Sequence, residues 1–92
     1  MKVVINTCFG GFCLSKAAYD FLGLEWNGFG YAYRDHDKRT DPKLIECVET
    51  LGYKADGYFA NLKVVEIPDD VEWEINDYDG IESIHEVHRV WE

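Results

Sequence analysis

The sequence predicts an α+β fold, a small antiparallel or mixed sheet of three to four strands with two helices, in a single domain spanning residues 1–92. Three observations carry this. A β-branched run opens the chain and alternating apolar runs fill its last third. Two segments in the first half repeat apolar residues at helical spacing behind capping residues. Glycine or proline punctuates most junctions.

Lys2 to Thr7 is a β-branched run ended by Cys8-Phe9-Gly10-Gly11, which suits a buried strand followed by a sharp turn. Ser15 can cap a helix over Lys16–Leu22, with Ala17, Ala18, Phe21 and Leu22 as its apolar stripe and Gly23 as its stop. From Gly23 to Arg39 glycines alternate with aromatics. A loop or short strand near Phe29 to Tyr33 is expected there, then an exposed turn over the charged cluster Arg34 to Arg39. Asp41 and Pro42 start the second helix, Leu44, Ile45, Val48 and Leu51 give its apolar face, and Gly52 closes it.

After Gly57, Leu62 to Ile67 is β-rich and Pro68-Asp69-Asp70 turns the chain. Val71, Trp73 and Ile75 then alternate with Glu72, Glu74 and Asn76, so these two runs are expected to pair as an antiparallel unit with one acidic, wet face. Asp79-Gly80 signals a hairpin. The segment beyond it fits a third strand best, although Ile81, Ile84, Val87 and Trp91 also suit one face of a helix.

Composition narrows function by exclusion. Acids outnumber bases 18 to 9 and the net charge is −9, so most of the surface repels nucleic-acid phosphate and anionic membrane, while 47% hydrophobic content favours folding over disorder. A chain of this length buries only roughly 60 to 65% of its unfolded surface, a thin core that assembly would complete. The opening shows no leader-type cleavage site and no run reaches the ~18 apolar residues of a membrane span, so a soluble cytoplasmic protein is expected. Cys8, Cys13 and Cys47 are odd in number and fit reduced thiols rather than a disulfide scaffold.

No complete catalytic motif is present. Gly10-Gly11 matches neither the dinucleotide nor the P-loop pattern and is expected to serve a tight turn. The cysteines and histidines lack zinc-ligand spacing, and His85 and His88 stand three apart rather than four, so neither metal nor cofactor is expected. His85 and Arg89 are neighbours on either a strand or a helix, a cationic pair in an acidic surface. Exposed aromatics would become stacking surfaces for a base only beside an arginine, for which Arg34 and Arg39 are the candidates.

The opening Met1 to Phe12, with Leu14-Ser15 and Ala18, then Arg39-Thr40-Asp41-Pro42, Val65-Glu66-Ile67-Pro68, Tyr78-Asp79-Gly80 and His88-Arg89-Val90-Trp91, resembles a group of small bacteriophage proteins along nearly the whole chain. These are similar to the phage anti-Thoeris sponges, which sequester cyclic ADP-ribose isomers and, in some members, cyclic oligonucleotides. The resemblance implies a non-enzymatic counter-defence protein of the host cytoplasm. It would be a homo-oligomer with a small nucleotide signal as ligand and neither nucleic acid nor membrane as partner. It also implies a pocket at a subunit interface with Phe59 against adenine and Arg34 and Arg89 as cations. Asp69, where an amide is expected, and His85, where an arginine is expected, depart from that pattern. A carboxylate at 69 repels phosphate but accepts from ribose hydroxyls. The competing expectation is an acidic DNA mimic that blocks a host nucleic-acid-binding defence protein.

Overall fold

A computed structural model describes residues 1–87, so the expectations placed on His88 and Arg89 lie outside the described residues. Among the described residues there are two α-helices and four strands, and every strand pairing is antiparallel: β1 (Lys2–Asn6), α1 (Lys16–Leu22), α2 (Pro42–Leu51), β2 (Leu62–Glu66), β3 (Trp73–Tyr78) and β4 (Ile81–Glu86). The strands form two separate ribbons, β1 with β2 and β3 with β4, instead of one sheet.

The first ribbon runs from Lys2 opposite Glu66 to Asn6 opposite Leu62, and its two faces serve different cores. Val4 and Leu62 pack with Leu14, Ala18, Tyr19, Leu44, Cys47 and Val48 under the helices. Val3 and Ile5 point the other way, against Ile75 of the second ribbon, with Val65, Ile67, Trp73 and Ile84 around them. Burial on both faces is why β1 reads as an unbroken β-branched run instead of an alternating one.

Both helices begin and end where their caps dictate. Ser15 accepts from the Ala18 N–H and Gly23 closes α1 in the left-handed region at φ 72°. Asp41 accepts from the Lys43 N–H with Pro42 in the first turn of α2. The apolar face of α1 is shifted by one residue from the expected stripe: Ala18 and Tyr19 are buried and Ala17 and Phe21 are exposed. Tyr19 wins the interior because its ring meets Trp26 edge-on at 5.0 Å while its hydroxyl accepts from the Ala32 N–H at 2.9 Å, satisfying both ends of an amphipathic side chain.

One pairing expectation needs correction. Leu62–Glu66 does not pair with the run beginning at Val71; it pairs with β1, and β3 pairs with β4 across the Asp79-Gly80 turn. The burial pattern of a strand fixes which face goes inward but not which distant strand it meets. The segment Phe29 to Tyr33 forms turns and no strand, and a single 3-10 turn follows at His36–Lys38. The third-strand expectation after Gly80 holds through Glu86.

Candidate functional site

The site is organised by three buried polar side chains that interrupt an otherwise apolar interior, Asn6, Arg39 and Glu82. The Arg39 guanidinium, placed by sequence on an exposed turn, is 1% exposed. All five of its N–H donors are used. Nε donates to Tyr33 O at 2.9 Å, one terminal nitrogen to Val4 O and Glu82 Oε1, and the other to Arg34 O and Glu82 Oε2 at 2.8 Å each. The Phe12 ring lies 3.7 Å from its central carbon, covering the remaining face.

The consequence is geometric. The edge of β1 that faces away from β2 carries unpaired backbone groups, and this network covers them: Val4 N–H donates to Arg39 O and Asn6 N–H to Glu82 Oε1. Asn6 then reaches outward, donating to Cys8 O and Gly80 O at 2.6 Å each and accepting from Asn61 N–H at 2.8 Å. Arg39 thereby ties the loop carrying Arg34 and His36 to β1 and β4. Asn6 ties the glycine turn after β1 to the β3–β4 turn and to the strand entering β2.

Between these tied loops lies a cleft of about 280 Å³. Its walls are the turn Phe9–Phe12, the Arg34 and His36 side chains, and Asp77, Gly80 and Glu82 from the hairpin, with Arg39 in its floor. Arg34 is exposed, and its guanidinium sits 4.8 Å from the Tyr31 ring, which itself stacks on Phe29 at 5.9 Å. Phe59, 79% exposed, is not itself a wall of the cleft but is tied to one: Gly10 N–H donates to Phe59 O at 3.1 Å, and a Cβ on Gly10 would meet Phe59 Cβ at 2.1 Å. Phe59 also adopts φ 59°, a left-handed backbone unfavourable for an aromatic residue.

The six residues singled out by sequence therefore divide. Arg34 and Arg39 meet at the cleft, and Phe59 is hydrogen-bonded to its Gly10 wall without lining it. Asp69 ion-pairs with the N-terminal ammonium at the far end of the β1–β2 ribbon, and neither it nor His85 is among the cleft walls. His85 is exposed on β4 beside Ser83, 2.8 Å from its hydroxyl, on the strand face opposite Glu82. Arg89 lies outside the described residues. The glycine turn has no phosphate cradle, since the Gly10 and Gly11 N–H groups donate to Phe59 O and Cys8 O.

Sequence reasoning missed Asn6, Glu82 and Asp77, and set His36 aside with the other histidines for want of zinc-ligand spacing. Asn6 was detectable as the one amide closing a β-branched run, but Glu82 is one of ten acids in the last 27 residues and nothing local marks it. Burial pushes the thiols of Cys13 and Cys47 above their ordinary value, which disfavours the nucleophilic thiolate. Comparison with known protein families, with characterised proteins and with solved structures finds no match.

Proposed function

We propose that the protein binds and sequesters a small nucleotide signal without cleaving it, holding a base against Phe59 and a phosphate against Arg34. The observation that supports this most is an exposed guanidinium, Arg34, in a cleft whose Gly10 wall is hydrogen-bonded to Phe59, an exposed aromatic held in a left-handed backbone 25 residues further along the chain. A base stacks on any aromatic face, and the planar guanidinium suits phosphate. Arg39 acts as a positioning residue: its own donors are filled, and it fixes the carbonyls of Tyr33 and Arg34.

A cleft of about 280 Å³ is at the lower limit for a small-molecule site. It suits one nucleotide moiety, and a second copy of the chain would enclose the rest of a cyclic dinucleotide or cyclic ADP-ribose isomer. This agrees with the homo-oligomeric cytoplasmic sponge that the resemblance implies. The test is titration of cyclic ADP-ribose isomers and cyclic oligonucleotides into the full chain. Arg34→Ala and Phe59→Ala each weaken retention roughly ten-fold or more, given about 1–3 kcal/mol per stacked base. Unchanged affinity in both variants removes this cleft as the site.

The acidic-mimic reading keeps one supporting observation: Glu66, Asp69, Asp70 and Glu74 are all exposed along the β2–β3 connection and its flanks. It predicts a protein partner whose binding collapses with salt and is indifferent to Phe59→Ala.

A further inference from the structure

We propose that His36, Asp77 and Glu82 form a three-ligand site for one divalent transition-metal ion of the Zn²⁺ or Mn²⁺ type, open to the cleft. Their ligand atoms, drawn from the 3-10 turn, β3 and β4, lie within 4.8 Å of one another. Glu82 carries the argument because its carboxylate is nearly fully buried and only partly used. Oε1 is filled by Asn6 N–H and Arg39, whereas Oε2 accepts from Arg39 alone and keeps one lone pair.

That oxygen faces His36 Nε2 at 3.8 Å. The gap is too long for a hydrogen bond, and the His36 ring makes none among the described residues. It is close to the separation of about 3.4 Å that two ligands take around one ion with bonds of about 2.1 Å. Asp77 is held in place by accepting from Gly80 N–H at 2.8 Å through Oδ1, and its second oxygen makes no hydrogen bond among the described residues.

Net charge does not carry the site: the Asp77 and Glu82 carboxylates are offset by Arg39 and by Arg34 in the same cleft wall, so it is the convergence of the three ligand atoms that would hold the ion. One imidazole and two carboxylates suit Zn²⁺ or Mn²⁺ better than Mg²⁺, which prefers oxygen ligands and retained water. Three protein ligands leave coordination positions toward the cleft. On the nucleotide reading, a phosphate oxygen would occupy one, and the ion would explain why a phosphate-binding cleft keeps two acids in its wall. The ion site itself does not depend on that reading.

The test is calorimetric titration of chelator-stripped full chain with Zn²⁺ and, separately, Mn²⁺. His36→Ala, Asp77→Asn and His85→Ala are compared after thermal melts confirm that each is folded. His36 and Asp77 are exposed, so these variants retain the core; Glu82 is left intact because it holds Arg39. The expected result is saturable binding of about one ion per chain, weakened roughly ten-fold or more by His36→Ala and by Asp77→Asn and unchanged by His85→Ala. Absence of saturable binding of both ions up to about 1 mM overturns the proposal. So does wild-type affinity in either the His36 or the Asp77 variant. Ion binding without nucleotide retention would reject the sponge function alone, and nucleotide retention without ion binding would reject the metal site alone.

Discussion

Replacing Glu82 by glutamine tests the buried network with almost no change in shape. The carboxylate accepts three hydrogen bonds, from Asn6 N–H and from both terminal nitrogens of Arg39. An amide retains one oxygen but turns an NH₂ group toward an arginine nitrogen, so a donor faces a donor. The Arg39 charge then stays in the interior without its counter-ion. Breaking a buried pair from one side costs about 3–5 kcal/mol, against about 5–14 kcal/mol of total stability for a domain this size. Urea denaturation followed by tryptophan fluorescence should show that loss as a lower midpoint with an unchanged slope. A double-mutant cycle with Arg39→Ala should be sub-additive by about 2 kcal/mol, since either single change already breaks the pair. A loss below about 1 kcal/mol, the value of a surface ion pair, would refute the view that Arg39 and Glu82 hold the cleft loops together.

Adjacent glycines should fail for different reasons. Gly10→Ala places a Cβ 2.1 Å from Phe59 Cβ and 2.4 Å from Phe59 O, so it displaces the ring and reduces nucleotide retention. Gly11→Ala meets no atom within 4 Å and costs only the left-handed penalty at φ 86°, about 1–2 kcal/mol with retention preserved. Equal effects of the two on retention would contradict this assignment. Thiol alkylation of the native protein should modify Cys8 alone, because Cys13 and Cys47 are buried and their thiols are pushed up, while denaturant should expose all three; intact mass reads the adducts. Burial also raises the Asp56 carboxyl, partly offset by the bond from Leu62 N–H. The folded chain therefore keeps this proton to higher pH than the unfolded chain, and stability falls as pH rises from the ordinary carboxylate value through the raised one. Asp56→Asn should remove that fall, seen as a wild-type-minus-variant gap that grows unfavourable as pH rises above the ordinary carboxylate value; a constant gap would argue against it.

Local chemistry made much of the fold legible. Ser15, Gly23, Asp41 and Pro42 act within a few residues of where they stand, so both helices were readable from spacing and caps, and Asp79-Gly80 announced its hairpin. Strand partnership was not readable. Leu62–Glu66 carries the pattern of a strand, but its choice of β1 over β3 depends on two apolar clusters assembled across 60 residues of chain. The α1 stripe slipped by one residue because only the folded chain shows Tyr19 with both a partner for its hydroxyl and a place inside for its ring.

The cleft was half legible for the same reason. Arg34 was named as a cation near exposed aromatics and again, with Phe59, by the family pattern. Arg39 looked like Arg34 in sequence and differs in fact, since five acceptors from four residues converge on it. Glu82, His36 and Asp77 gain significance only when the hairpin folds back over the glycine turn. Asp69, His85 and Phe59 are not among the cleft walls, but Phe59 is bonded to the Gly10 wall, which shifts the weight of the binding proposal onto Arg34 and, through Gly10, Phe59.

Sequestration without turnover is tested most directly by recovering the ligand. The full chain, at micromolar concentration, is incubated with cyclic ADP-ribose isomers and with cyclic oligonucleotides, filtered, washed and heated, and the released material is identified by chromatography and mass. The account predicts that one of these nucleotides is retained in proportion to protein and released chemically intact, with retention lost in Arg34→Ala and Phe59→Ala. Release of a cleaved product, or no retention of any of them, would contradict it.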